Sequence, residues 1–190
     1  VVVIRNAEQE NHISADIAYG VWQYWQATGD DDFLVDAGAE IVLETARFWA
    51  SRGRIGEDGR FHIESVIGPD EYHEDVDDNA FTNGMARWNL ERGVEVAEML
   101  QTRWPERWAS LSARLELDAE EVEGWRETAA RMAIEVDPET GLIEQFRGYH
   151  DLEEIDLSAG EGEVELHVLS PDLSDGEGDE LRQTVTVTLG

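Results

Sequence analysis

The sequence contains no cysteine and no lysine, and it has only four prolines among its 190 residues. Without cysteine there is no disulfide framework, no thiolate metal site and no cysteine nucleophile. All fourteen basic residues are arginine, against 44 acidic residues, so the formal net charge is −30. Nucleic acids and anionic membranes bind largely through basic side chains, so both are poor candidates as partners.

Long apolar runs are also missing, because no stretch approaches the roughly 20 residues that cross a bilayer. No signal peptide is visible, and we expect a cytoplasmic location. Apolar residues nevertheless make up 41% of the chain and include seven tryptophans, which favours a packed core. The acidic surface, with arginine as its only strong base, fits a high-salt proteome and a GC-rich coding bias about equally well.

Apolar periodicity predicts a pair of long helices joined by a short acidic turn. The first lies in "HISADIAYGVWQYWQATGD", residues 12–30, and the second in "DDFLVDAGAEIVLETARFWASRG", residues 31–53. Gly29 and Gly53 are the expected C-terminal stops. The apolar side of the first helix is predicted to comprise Ile13, Ile17, Val21, Tyr24 and Trp25.

Two further helices are expected, one from Phe81 to about Leu100 and one over residues 119–133, with Pro105 and Pro138 in the turns between elements. By default we assign the helix tryptophans to the core, namely Trp49, Trp88 and Trp125. Between the helix pairs, "RIGEDGRFHIES" (residues 54–65) predicts a short strand or hairpin that turns at "DG". The rhythm of helical hairpins predicts part of an all-α toroid.

From residue 158 the composition changes abruptly. The stretches "SAGEGE" and "SPDLSDGEGDE" are typical of linkers, whereas "VELHVL" and "QTVTVTL" alternate as strands do. We therefore divide the chain into a helical part, residues 1–157, and an acidic, glycine-rich tail, residues 158–190. A foreign or frame-shifted tail is the preferred interpretation, and a genuine appended β-hairpin is the alternative.

The most informative stretch is "VIGPDEYHEDVDDNAFTNG", residues 66–84, of which we call residues 66–79 the acid loop. An EF-hand pattern fails because Ala80 and Ala86 stand where a glycine and a bidentate glutamate are required. A zinc motif fails because Asp77 replaces its second histidine. We therefore predict no metal here, and a merely solvated acidic loop is the alternative to a catalytic one.

Other features of the acid loop favour catalysis. Gly68 and Pro69 fix the backbone immediately before Asp70 and Glu71. A carboxyl group crowded by other acids and by aromatic rings has a raised pKa, as a general acid near neutral pH requires, and cleavage of a glycosidic bond needs such a proton donor. Glu71 is the candidate. We expect it on a loop at one end of the helical array, partly buried, with Tyr72 or His73 within contact distance.

Several long blocks in one order resemble the catalytic domain of glycoside hydrolase family 65, which comprises maltose, trehalose and kojibiose phosphorylases and related hydrolases. The blocks are "HISADIAYGVWQYWQATGD", "GAEIVLETARFWASR", "VIGPDEYHEDVDDNAFTN", "ARWNL" and "GLIEQFRGYHDLEEIDL". Together they span about residues 4–157. The resemblance implies a mainly α fold, part of an (α/α)6 barrel, here with a short β-hairpin and an atypical strand-like tail.

The resemblance also implies an activity. Glu71 of the G-P-D-E-Y-H block would be the general acid of an inverting phosphorylase, with inorganic phosphate as co-substrate, an α-linked glucose disaccharide as substrate and no other cofactor. It leaves open a hydrolase of the same family, and it leaves open a homodimer of the full-length enzyme. The further candidates for substrate binding or for orienting the acid are Asp70, Tyr72, His73, Asn79, Asn83 and His12.

Some expected parts have no counterpart in the sequence. The family pattern implies a sugar-contacting lysine and a serine-containing phosphate loop, yet lysine is absent and the carboxylates of "SPDLSDGEGDELRQ" would repel an anion. We therefore expect an incomplete catalytic domain that is inactive alone. A non-catalytic remnant, serving as a sugar-binding or interaction module, is the alternative from a different functional class.

Overall fold

The structure is a computed structural model, which describes residues 5–153 together with the backbone of two strands, Val164–Val168 and Gln183–Val187. The chain divides into two units, Val1–Asp151 and Leu152–Gly190. The α-helices of the first unit are α1 (Asn6–Gln9), α2 (Ile13–Thr28), α3 (Asp31–Phe33), α4 (Ala39–Arg52), α5 (Ala80–Arg103), α6 (Pro105–Leu115) and α7 (Ala119–Arg131).

The first predicted helical hairpin is confirmed. α2 ends at Gly29, which adopts a left-handed conformation and donates its N–H to the carbonyl of Trp25. The second predicted helix is continuous but not uniform, because a π-helical turn, Leu34–Gly38, links α3 to α4. The Asp30 carboxylate caps the start of α3 by accepting the Phe33 N–H at 2.9 Å.

The predicted core face of α2 is partly wrong. Ile13, Ile17 and Tyr24 are exposed, at 53%, 58% and 46%, whereas the predicted Val21 and Trp25 are partly buried against the core. The buried residues of α2 are Ala15, Ala18 and Trp22. The helical period is right, but small residues and Trp22, not the isoleucines, form the buried side of a helix that is apolar on two sides.

α5 is the central helix of the first unit and packs against α4 and α7. Its expected extent and that of α7 are confirmed to within a few residues. α6 is a helix that the sequence reading missed, because Pro105 was read as an interruption. It stands at the first position of α6, where its missing N–H needs no partner. Trp49 and Trp125 lie in the core as expected, and Trp88 is partly buried.

The predicted hairpin after α4 is also confirmed. β1 (Arg54–Ile55) pairs antiparallel with β2 (Phe61–His62), with Arg54 opposite His62. Gly53, the expected helix stop, is extended rather than left-handed. It must be glycine for another reason, since an added Cβ would lie 2.3 Å from the carbonyl oxygen of His62.

In the second unit, β3 (Val164–Val168) pairs antiparallel with β4 (Gln183–Val187), in agreement with the alternation read from the sequence. The rest of the predicted tail lies outside the described residues, so its origin stays a prediction. Among the helices of the described part of the chain, none combines the length and apolar character of a membrane span.

Candidate active site

The acid loop leaves β2, crosses the surface and ends at α5. At the base of the loop, the Val66 N–H donates to the Val76 carbonyl at 2.9 Å and the Val76 N–H donates to the Val66 carbonyl at 3.0 Å. The residues between them therefore form a closed loop. Ile67 donates its N–H to the carbonyl of Gln9, 3.0 Å away, which attaches the start of the loop to α1. The loop is therefore held at its base, and the geometry of its tip depends on side-chain contacts.

Glu71 and Tyr72 lie at this tip and point into solvent. Glu71 is exposed, and the Tyr72 side chain is 96% exposed. The position on a loop next to the start of α5 agrees with expectation, but the expected partial burial of Glu71 is wrong. The backbone carries both side chains outward, because Tyr72 donates its N–H to the carboxylate of Asp70 at 3.1 Å and so closes a tight turn around Glu71.

Asp70 organises this turn. Its carboxylate accepts hydrogen bonds from Gln145 Nε2 at 2.9 Å, from the Tyr72 N–H, and from His73 Nδ1 at 3.0 Å. The hydrogen bond from Gln145, followed by those from Tyr72 and His73, lowers the pKa of Asp70 below its ordinary value. At Asp70 the hydrogen-bond donors directed at the carboxylate outweigh desolvation, which acts to raise its pKa.

A segment far away in sequence forms hydrogen bonds with the acid loop at two places. We call residues 145–149, "QFRGY", the strap. At one end, Gln145 reaches Asp70 with its side chain and accepts the Ala80 N–H with its carbonyl at 2.9 Å. Two residues later, Arg147 donates its backbone N–H to the carbonyl of Asp77 at 3.0 Å and its side chain to the carboxylate of Asp78.

The strap also contacts the acid loop through aromatic rings. Phe146 is buried, and its ring lies 5.0 Å from the imidazole of His73. Tyr149 packs edge-on against Phe146 at 5.3 Å and approaches His73 at 6.2 Å. His73 is thus fixed on one side by Asp70 and on the other by the strap, which limits the freedom of the turn that carries Glu71.

At the C-terminal end of the acid loop, Asp78 is almost fully buried and accepts hydrogen bonds from four groups. Its Oδ1 receives the Ile63 N–H and Asn83 Nδ2, each at 3.2 Å. Its Oδ2 receives His62 Nδ1 at 2.7 Å and the guanidinium of Arg147. One carboxylate therefore joins β2, the acid loop, α5 and the strap.

His62 is a residue that sequence reasoning missed. It is buried, and its second ring nitrogen faces Asp58 Oδ1 at 3.0 Å. Burial opposes its charged form, but the hydrogen bonds to Asp58 and Asp78 outweigh burial and raise the pKa of His62 above its ordinary value. The alternation of "RFHIE" placed this histidine on a strand but gave no sign of its carboxylate partners.

The other sequence-predicted residues lie in the structure as follows. Asn79 is buried and caps α5 by accepting the Thr82 N–H at 3.0 Å. Gly68 packs against it so closely that an added Cβ would lie 2.4 Å from the Asn79 side-chain nitrogen. Asn83 is buried and donates to Asp78 and to the carbonyl of Ala133. Both asparagines therefore hold the loop in place, and their contact with substrate stays a prediction.

His12 stands immediately before α2, partly buried, with its ring edge-on to Phe81 at 5.7 Å. Phe81 belongs to the first turn of α5, so His12 lies beside the same helix start at which the acid loop ends. Its predicted role in substrate binding is untested. Within residues 5–153, no three His, Asp or Glu side chains are grouped in a way that could hold a metal ion.

Comparison with known proteins decides the family. The model of the glycosyl hydrolase family 65 central catalytic domain matches residues 2–181. The chain belongs to glycosyl hydrolase family 65. The match runs beyond residue 157, where the resemblance seen in the sequence ended.

Curated relatives in family 65 include a kojibiose phosphorylase from Caldanaerobacter subterraneus subsp. tengcongensis, which is 46% identical over 151 residues, or 79% of this chain and 20% of the relative. A 1,2-alpha-glucosylglycerol phosphorylase from Bacillus selenitireducens is 44% identical over 145 residues, covering 76% of this chain and 19% of the relative. The chain therefore spans about a fifth of the length of the curated relatives it matches.

A solved structure gives the same result for the fold. The chain matches a putative kojibiose phosphorylase from human microbiome with a TM-score of 0.68 and 25% sequence identity, over 77% of this chain and 20% of that one. The prediction of a mainly helical fold, part of an (α/α) barrel with a two-stranded hairpin, is thereby confirmed.

Proposed function

We propose that this chain supplies the proton donor of an inverting glycoside phosphorylase, with Glu71 as the general acid. The observation that carries the proposal is the turn at residues 70–73, in which Asp70 is engaged by three donors while Glu71 projects freely. A carboxyl group at the tip of a restrained loop has the access that a leaving-group oxygen needs. The names of the relatives support phosphorolysis as the reaction.

The proposed reaction balances as follows. The Glu71 carboxyl group gives its proton to the glycosidic oxygen, the bond from that oxygen to the anomeric carbon breaks, and an oxygen of inorganic phosphate forms a bond to that carbon from the opposite face. Inversion of an α-linked glucoside then yields β-glucose 1-phosphate and a free sugar. Phosphate has to be held by groups outside the acid loop, because the loop carboxylates repel an anion.

We further propose that the chain alone has no turnover. Most of the barrier reduction in such a reaction comes from holding sugar, proton donor and phosphate together. In this chain Glu71 is exposed to solvent and is not enclosed in a sugar site. The test incubates the purified chain with kojibiose, α,α-trehalose and maltose, with and without phosphate, and measures glucose and glucose 1-phosphate. Turnover above that of the Glu71→Gln variant would contradict this part of the proposal.

A chimaera tests the catalytic role directly. The 151 matched residues of the Caldanaerobacter kojibiose phosphorylase are replaced by the corresponding residues of this chain. We expect phosphate-dependent release of glucose 1-phosphate, and a decrease of about 10²- to 10⁴-fold in kcat on Glu71→Gln, because only proton donation is removed. Glu74→Gln is the matched control, an exposed glutamate of the same loop.

Three outcomes of the chimaera assay would contradict the proposal. Full activity of Glu71→Gln would remove Glu71 from the mechanism. Release of glucose without phosphate dependence would favour a hydrolase of the same family. Absence of activity in a folded chimaera would favour a non-catalytic role for this chain.

A further inference from the structure

We propose that Gln145 is a positioning residue for Glu71, acting through Asp70 and anchoring the strap to the tip of the acid loop. The inference rests on the proposed function, because it assigns Gln145 a part in presenting the same proton donor. It concerns a residue 75 positions away from the loop residue that it contacts.

The direction of the hydrogen bond follows from chemistry. An ionised carboxylate only accepts, so the Gln145 amide has to present its NH₂ group to Asp70. The distance of 2.9 Å from Nε2 to Oδ2 is that of a charge-assisted hydrogen bond. Gln145 is itself fixed by its backbone, because its carbonyl accepts the N–H of Ala80 at the start of α5.

The turn depends on this contact because of how Asp70 is used. One carboxylate oxygen receives the Tyr72 N–H and the other receives both Gln145 and His73. The two residues that follow Glu71 are therefore ordered by the same carboxylate that Gln145 orients. Without the amide, Asp70 keeps only the donors of its own turn, Tyr72 and His73, and the turn loses the hydrogen bond that ties its carboxylate to the strap.

Among the described residues, Gln145 supplies the strap's hydrogen bond to this turn, and the other strap contacts at the tip are aromatic. Phe146 contributes an apolar contact to the His73 ring, and Arg147 binds Asp77 and Asp78 at the opposite end. Glu71 lies immediately beside Asp70, so a displacement of the turn is transmitted directly to its carboxyl group. Misplacement of a catalytic group by about 1 Å is enough to reduce a rate by about 10²-fold.

Hydrogen exchange on the full chain tests the structural step. Gln145→Leu keeps a similar volume without a donor, and Gln145→Glu keeps the shape but places a second carboxylate against Asp70. We expect amide exchange in residues 66–79 to be about tenfold faster in both variants, with exchange in α7 unchanged. Gln101→Leu, at an exposed site on α5, is the matched control, for which no change is expected. Unchanged exchange in the loop would overturn the proposal.

Kinetics of the chimaera test the catalytic step. We expect Gln145→Leu to lower kcat by about tenfold to 10²-fold while KM changes less than about twofold, because orientation of the acid is lost and sugar contacts remain. Faster loop exchange with unchanged kcat would overturn the positioning role. If the chimaera is inactive with Gln145 intact, the proposed function fails, and loop exchange in the full chain alone decides whether Gln145 orders the turn.

Discussion

Replacing Asp78 by alanine is predicted to destabilise the chain, because one buried carboxylate accepts hydrogen bonds from four donor groups on three other segments. The Ile63 N–H has no other route to solvent, since Ile63 is fully buried. An orphaned buried donor costs about 1–3 kcal/mol. Asn83 retains the carbonyl of Ala133 at 2.6 Å, so it loses only part of its pairing.

The charged partners of Asp78 are compensated in other ways when it is removed. His62 retains Asp58, whereas the Arg147 side chain, 43% exposed, is able to turn towards water or Asp77. The cost of about 3–5 kcal/mol for breaking a buried ion pair requires a partner left buried and uncompensated. Because both charged partners keep an alternative here, we place Asp78→Ala at about 1–3 kcal/mol, the cost of the orphaned Ile63 N–H. Total stabilities of about 5–15 kcal/mol make such a change easy to measure.

Asp75→Ala is the matched control for this experiment. Asp75 and Asp78 both have left-handed backbones, with φ of 58° and 50°, so the alanine penalty for that conformation is common to both variants. The Asp75 side chain is 53% exposed, and surface pairs contribute little. Urea unfolding followed by tryptophan fluorescence gives the difference. Two variants within about 1 kcal/mol of each other would refute the assignment of Asp78 as the anchor of the loop.

Two further predictions concern solution conditions. The raised pKa of His62 means that its pairing stabilises the fold fully below pH about 6.5 and that this contribution is lost as pH rises through the folded-state pKa. Urea unfolding from pH 6 to 9 should show this decline, and His62→Gln should remove it. The net charge of −30 predicts thermal melting points that rise from low salt to about 1 M KCl, and flat or falling values would leave coding bias as the explanation for the missing lysine.

Local signals explain why much of the helical array was predictable. Gly29 ends α2 through its backbone conformation, and the alternation around Phe61 marked a strand at the right place. The sequence-based predictions failed where a local pattern was compatible with two structures. Pro105 begins a helix instead of lying in a turn, and Ile17 lies on the exposed side of α2 although it is strongly apolar.

The candidate site likewise contains residues that the sequence revealed and residues that only the structure revealed. Glu71 was found because the acid loop is a contiguous motif. Gln145 and His62 were not, since their roles arise from partners 75 and 16 residues away. The block "GLIEQFRGYHDLEEIDL" carried the only sequence signal for the strap, and it was read as evidence of family rather than of contact. Burial of Asp78 is likewise a property of the assembled elements, because β2 with the following Ile63, α5 and the strap together contribute its donors.

The separation between the acid loop and the strap sets an order for biosynthesis. A ribosome synthesises Asp70, the neighbour of Glu71, 75 residues before Gln145, and α5, α6 and α7 are all made in the interval. α5 therefore has its helical neighbours before the strap is available, so the turn around Glu71 acquires its fixed form in one of the last steps of folding of this unit. A released chain that ends at residue 140 would contain α2 to α7 but no strap, and limited proteolysis would reveal its less restrained acid loop by cleavage between Val66 and Val76.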